Sequence, residues 1–272
     1  MNARRMQSVL LALFVMCLAP QVYGKGKKAA PAKKASKLKK ADASKKWGKC
    51  PYFVKKLADK ADRVLRGNSS KAIMSMKVFK RGTVSMRMKM WSKGRNKFLA
   101  KILRPSRLRG MATLKSGSNL WNYLPRMDRI VKLGSSMMGG SWMGSHFTND
   151  DLVKESDVRK HYDCIKFQTK GKFLLITTQP KANAPVVWGK VVMKINKKNH
   201  LPVSNHFYDE RGKLKRIMRY SRVRKMGGRL LPTRMTMQPA DSPSEKTVVT
   251  YHKIRFNVRI SNRTFTLQGL KR

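Results

Sequence analysis

Residues 70–90 read SKAIMSMKVFKRGTVSMRMKM, and the alternation inside them decides the fold. Ala72, Met74, Met76 and Val78 fall on one side, with Ser75 and Lys77 opposite. Beyond Lys80-Arg81-Gly82 the same period returns, with Val84, Met86, Met88 and Met90 on one side and Ser85, Arg87 and Lys89 on the other. A period of two sends successive side chains to opposite faces of a strand. The segment is therefore read as a β-hairpin with one methionine-lined face.

The meander continues through Phe98, Ala100 and Ile102 to Arg104-Pro105. Strand-like runs follow at residues 162–168, 172–178, 187–195, 202–208, 214–221, 230–237 and 246–258. Turn chemistry separates them, at Lys170-Gly171, residues 196–199, residues 209–212, Gly227-Gly228 and residues 239–244. Residues 50–66 form the one long helical pattern: Phe53, Leu57, Ala61, Val64 and Leu65 recur at helical spacing, and Gly67 supplies a stop. About ten or eleven short antiparallel strands with one early helix make a mainly β (α+β) protein, a strongly curved sheet or open half-barrel. A β-sandwich is the alternative. The early helix favours the open form, because it can lie across a concave face that a sandwich would fill with a second sheet.

The centre of the chain, residues 121–152, reads WNYLPRMDRIVKLGSSMMGGSWMGSHFTNDDL. Residues 120–124 form a short strand stopped by Pro125, which has no amide to give to a sheet ladder. Residues 129–133 form another. A loop follows in which Gly134, Gly139, Gly140 and Gly144 alternate with Met137, Met138, Trp142 and Met143, large apolar side chains in a place where a solvated loop carries polar ones. Such a loop is expected to cover an apolar surface. Thr148 and Asp151 stand at the spacing of a capping box.

Tyr123-Leu124-Pro125, the Gly-Ser-Trp-Met-Gly-Ser run, Phe147-Thr148 and Asp151-Leu152 together resemble the outer-membrane lipoprotein-sorting protein family, the LolA-like group of periplasmic carriers. Leu201-Pro202-Val203, residues 208–214, residues 228–235 and Phe265-Thr266-Leu267 with Leu270 extend the resemblance over residues 50–272. It implies a LolA/LolB-like half-barrel of about eleven strands closed by helices. It also implies a hydrophobic cavity for the acyl chains of a lipoprotein or lipid, carried toward the outer membrane. Members are often associated with RND-type lipid exporters, so a non-catalytic adaptor role is a second expectation.

The termini and composition set the compartment. Arg4 and Arg5, the apolar run at residues 9–19 and the small-residue ending at Gly24 predict a signal peptide over residues 1–24 and a periplasmic protein, peripheral to a membrane at most. Residues 25–47 are Lys/Ala-rich and too poor in apolar side chains to fold, which leaves residues 48–272 as the domain. Lys plus Arg total 63 against 13 Asp plus Glu, a balance that suits either a polyanionic partner such as an acidic membrane surface or a solvated basic exterior. Nucleic acid is not an expected partner: no helix-turn-helix, RNP or zinc-finger pattern is present, and export removes access to DNA.

Cys50 and Cys164 remain after signal cleavage and form a disulfide candidate in an oxidising compartment. His146, His161 and Cys164 lack the further ligands of a metal site, so no metal or cofactor is expected. The five histidines accompany no nucleophile motif, and no catalytic residues are assigned. The lipid-binding candidates are Met74, Met76, Met86, Met88, Met90 and Phe98 on the first strands. Trp121, Met137, Met138, Trp142, Met143 and Phe147 are expected to form a movable cover. Methionine suits such a pocket because its flexible, polarisable side chain adapts to chains of differing shape. Ordinary core packing is the alternative for any one of these methionines, so the hypothesis rests on the group.

Overall fold

The alternation at residues 70–90 becomes strands β1 (Ser69–Phe79) and β2 (Thr83–Lys93), in a register that sets Met74 against Met88 and Met76 against Met86. The structure is a computed structural model that describes residues 46–154 and 158–271. The predicted signal peptide and nearly all of the predicted basic tail lie outside the described residues.

The other strands are β3 (Lys97–Arg104), β4 (Ala112–Ser116), β5 (Asn119–Leu124) and β6 (Arg129–Lys132), then β7 (Tyr162–Lys170), β8 (Phe173–Pro180) and β9 (Lys190–Asn196). Next come β10 (Pro202–Tyr208), β11 (Leu214–Met226), β12 (Arg229–Pro239) and β13 (Lys246–Phe256). All thirteen join one antiparallel sheet in the order β6-β5-β4-β3-β2-β1-β13-β12-β11-β10-β9-β8-β7. The chain meanders outward twice and is stitched at β1·β13, so β6 and β7 remain as edges and the barrel stays open. A two-sheet sandwich is excluded.

Curvature follows from what shares a cavity. Phe98 on β3 and Met193 on β9 line the same space, seven strand steps apart in the sheet order. At about 4.8 Å per step a flat sheet would hold them more than ~30 Å apart. The sheet must therefore wrap round on itself.

The sheet has thirteen strands where the sequence suggested about eleven, and β4 is the strand that the periodicity missed. Its alternation is inverted. Thr113 and Lys115 point with Ala100 and Phe98 to the concave side, while Leu114 faces outward with Leu99 and Trp121. All of Ala112 to Lys115 is nevertheless buried, because the outer face is covered here. Ile260, Phe265 and Leu270 pack on Leu99, Ala112 and Leu114, and Leu270 comes from the C-terminal helix α3 (Leu267–Lys271).

Helix α1 (Tyr52–Arg63) lies against the concave face, and its buried stripe is Val54, Ala58 and Ala61. This corrects the stripe read from sequence. Phe53 is 51% exposed and meets Phe167 of β7 edge-on, and Leu57 is only partly buried. The physical cause is the small size of Ala58 and Ala61, which lets the helix backbone approach the sheet, together with an anchor just before it. That anchor is a disulfide between Cys50 and Cys164 of β7, with Cα atoms 5.7 Å apart. Beside it the Trp47 indole donates to the Tyr162 carbonyl at 2.8 Å, and Lys49 N–H donates to the Cys164 carbonyl at 2.8 Å. Gly48 has φ +57°, and a Cβ there would stand 2.5 Å from the Cys164 carbonyl oxygen, so only glycine permits this approach.

Candidate functional site

The concave register gathers methionine from both halves of the sheet. Met76 pairs across β13 with Val249, which pairs with Met235 on β12. Met237 faces Met218 on β11, which leads through Asn205 to Met193 on β9. Paired residues share a face, so these side chains look into one concavity. Between this wall and helix α1 lies a cavity of about 290 Å³.

Of the candidates named from sequence, Met74, Met90, Phe98, Trp142 and Phe147 line this cavity. Met76, Met86 and Met88 are fully buried in the core behind them. Trp121 packs in the outer cluster with Leu114, on the opposite face of the sheet. Met143 is partly buried against the core. Met137 is 46% exposed and Met138 half-buried, and neither reaches the cavity. The inward part of the central loop is therefore narrower than expected: Trp142 and Phe147.

Local backbone chemistry explains why those two point in. Met143 and Gly144 both have positive φ (50° and 72°), a tight reversal that brings Trp142 N–H to the Phe147 carbonyl at 2.8 Å. The Trp142 indole donates to Thr113 Oγ1 at 3.1 Å, and its ring stands edge-on to Phe98. The capping box forms as read. Thr148 N–H donates to Asp151 Oδ2 at 2.7 Å and Asp151 N–H to Thr148 Oγ1 at 3.2 Å, opening helix α2 (Asn149–Lys154).

Asp151 also clamps the loop to the sheet. Arg216 of β11 donates through both terminal nitrogens to its carboxylate, one of them at 2.7 Å, and its Nη1 reaches the His146 carbonyl at 3.3 Å. The Arg216 and Asp151 side chains are only 6% and 5% exposed. The guanidinium lies over both Trp188 and Phe207, 4.3 and 4.6 Å from their ring centroids, and the two rings pack on each other 5.5 Å apart. His146 extends the clamp, its ring nitrogens 2.8 Å from Thr247 Oγ1 and 3.0 Å from Glu245 Oε2. Sequence reasoning missed Arg216, which in a chain this basic looks like one more surface charge.

Met193, Met218, Met235, Tyr220 and Tyr251 line the cavity as well and were also missed. Their signal was present, since each occupies an inward position of an alternating strand. Burial pushes the Tyr251 phenol up to about 12, so this wall is uncharged at physiological pH. Part of the lining is polar: Asp62 of α1 and Arg66 just beyond its end, Arg95 of the β2–β3 turn, Lys97 at the start of β3 and Lys115 of β4. Arg95 lies 2.7 Å from Asp62, which also pairs with Arg66. The buried Lys115 ammonium donates to the carbonyls of Arg95 and Val153 at 3.0 and 2.9 Å. Among the described residues, no helix is long and apolar enough to cross a membrane.

A family model described as "Uncharacterized protein" matches residues 94–272. No curated protein matches the chain. Among solved structures, a Vibrio parahaemolyticus domain assigned to outer membrane lipoprotein sorting is 21% identical with a TM-score of 0.69, covering 80% of this chain and 97% of its own. A DUF1329 family protein from Desulfovibrio piger is 22% identical with a TM-score of 0.69, over 79% of this chain and 96% of its own. A LolA superfamily protein from Nitrosomonas europaea is 20% identical with a TM-score of 0.66, over 79% and 98%. The chain therefore belongs to the family whose model spans residues 94–272, and its fold is the LolA-like fold of the outer-membrane lipoprotein-sorting proteins.

Proposed function

We propose that the protein is a non-catalytic periplasmic carrier that takes an acyl chain of a lipid or lipoprotein into the methionine-lined cavity and moves it toward the outer membrane. The observation that carries this reading is the cavity itself, about 290 Å³ walled by methionine and aromatic side chains between helix α1 and the sheet. A stretch of on the order of ten methylenes sets the scale of an acyl chain's burial against such a wall. At about 0.8 kcal/mol per buried methylene, their removal from water is worth ~8 kcal/mol before the chain's lost freedom is subtracted. That is enough to draw a chain from a membrane and still release it.

The test is native mass spectrometry of the mature protein purified from its own host, followed by lipid extraction and uptake of a fluorescent fatty acid by the emptied protein. A stoichiometric acyl ligand is expected. Met235→Glu, which puts a charge into the cavity wall, is expected to weaken uptake by about a hundredfold or more with the far-UV spectrum unchanged. An empty protein that also refuses the fatty acid would exclude the carrier role.

The basic exterior supports a companion proposal, that the carrier docks on membranes rich in acidic lipids. The chain has a formal net charge of +50, and each basic residue near an anionic surface contributes about 1 kcal/mol. Raising salt from 0.1 to about 1 M shortens the screening length from ~10 to ~3 Å. Sedimentation with acidic vesicles is therefore expected to collapse at high salt while fatty-acid uptake persists. Salt-insensitive sedimentation would overturn the docking proposal and leave the cavity proposal standing.

A further inference from the structure

Helix α1 has a second face, opposite the buried stripe of Val54, Ala58 and Ala61. Tyr52, Phe53, Lys56, Lys60 and Arg63 are exposed there at helical spacing, so the face opens with aromatic rings and continues as a run of cations. Asp59 and Asp62 stand half-buried on its flank, and Asp62 is paired with Arg66 and Arg95. Among the described residues the exposed aromatic side chains are Tyr52, Phe53 and Phe167. They fall together. The rings of Phe53 and Phe167 meet 5.5 Å apart, and the Lys55 ammonium lies 5.7 Å from the ring of Tyr52, the neighbour of Phe53 in the chain. The β9–β10 turn extends the cationic end: burial and the nearby Lys60 charge hold its His200 imidazole below the ordinary range, and its Lys197 and Lys198 are exposed.

An aromatic ring held in water gives up hydrophobic free energy that it recovers at the boundary between headgroups and acyl chains, and lysines on the same helix face are drawn to anionic headgroups. A bilayer of acidic lipids offers both on one surface. We infer that this face of α1, with Phe167 and the β9–β10 turn, is the surface by which the protein docks on such a bilayer. The aromatic rings enter the headgroup layer, and Lys56, Lys60 and Arg63 meet lipid phosphates. The inference rests on the docking proposal and adds to it the surface and the orientation. That orientation serves the cavity. Ala58 and Ala61 line it from the other side of the same helix, so docking brings the cavity within one helix diameter, ~10 Å, of the membrane.

The experiment uses the full mature chain at low salt with vesicles of phosphatidylglycerol and phosphatidylcholine, or of phosphatidylcholine alone, and reads hydroxyl-radical oxidation side chain by side chain. On the acidic vesicles oxidation of Tyr52, Phe53 and Phe167 is expected to fall at least about threefold. Met127 and Leu267, exposed beside the C-terminal helix on the outer face of the sheet, are expected to keep their solution rates. Lys56→Gln/Lys60→Gln/Arg63→Gln is expected to weaken sedimentation with acidic vesicles by about tenfold or more. Arg126→Gln/Arg129→Gln/Lys132→Gln removes the same charge from β6 and the turn before it, and is expected to weaken sedimentation by less than about threefold. Rings left unprotected on the vesicles, as a surface meant for a protein partner would leave them, or equal losses from the two variants would overturn the inference while the native chain still sediments, and the docking proposal would stand. A native chain that does not sediment with acidic vesicles removes both.

Discussion

Arg216→Ala is expected to destabilise the protein by about 3–5 kcal/mol, the range seen when one partner of a buried ion pair is removed. The reason is the carboxylate left behind. Asp151 is buried, caps helix α2 through Thr148 and receives two hydrogen bonds from the Arg216 guanidinium. Removing that guanidinium also vacates the slot beside the packed rings of Trp188 and Phe207. Arg216→Met separates the two effects, since it refills much of the slot and still abandons the carboxylate. Urea unfolding followed by Trp fluorescence is the measurement. Arg216→Met and Asp151→Asn are each expected to lower the midpoint strongly, and the double variant to fall short of their sum by at least ~2 kcal/mol. Strictly additive losses below about 1 kcal/mol each would show that the pair does not hold the loop.

The same variants bear on function through position. Arg216 and Asp151 tie the loop that carries Trp142 and Phe147 to β11, and those two rings line the cavity. Loosening the clamp should therefore change Trp142 fluorescence at denaturant concentrations where the sheet is still folded.

The sheet was legible because its alternation is nearly unbroken: from Ala72 to Met90 each inward position is apolar and each turn is marked by basic residues and glycine. β4 was not legible, since Thr113 and Lys115 point inward and its apolar residues face a cover contributed by the far C-terminus. A local pattern cannot announce a partner about 150 residues away. The capping box at Thr148 and Asp151 was readable from spacing, whereas the Arg216 pairing was not, because one arginine among so many carries no mark of burial. Five of the twelve lipid candidates line the cavity. Met76, Met86 and Met88 sit deeper on the same face, and Trp121 illustrates the opposite limit: its place in an aromatic strand was right, and its face depended on the parity of a strand not yet recognised. Helix α1 shows why an apolar stripe can mislead. Phe53 offers more apolar area than Ala58, yet the tether at Cys50 and the close approach that alanine permits set the rotation.

Removal of the Cys50–Cys164 disulfide, by reduction or by Cys50→Ala with Cys164→Ala, is expected to cost about 2–5 kcal/mol. The bond closes a loop of sequence separation 114, long enough for the chain-entropy argument to place the effect near the upper end, ~4–5 kcal/mol. Helix α1 should feel it first. The helix is buried through Val54, Ala58 and Ala61, small side chains that remove little apolar area from water, at roughly 25 cal/mol per Å². Its N-terminal anchor is the short run in which Trp47 and Lys49 bond to Tyr162 and Cys164. Without the covalent link, hydrogen exchange of residues 52–63 is expected to accelerate well before that of β1 and β2, because local opening draws on the least buried elements. Ala58, Ala61 and Asp62 line the cavity, so the same release should open its wall and speed the escape of a bound acyl chain. If the reduced protein keeps its urea midpoint and its α1 protection, the small-residue contacts suffice to hold the helix and the tether is dispensable. If protection of α1 alone is lost, the disulfide is what keeps one wall of the cavity in place.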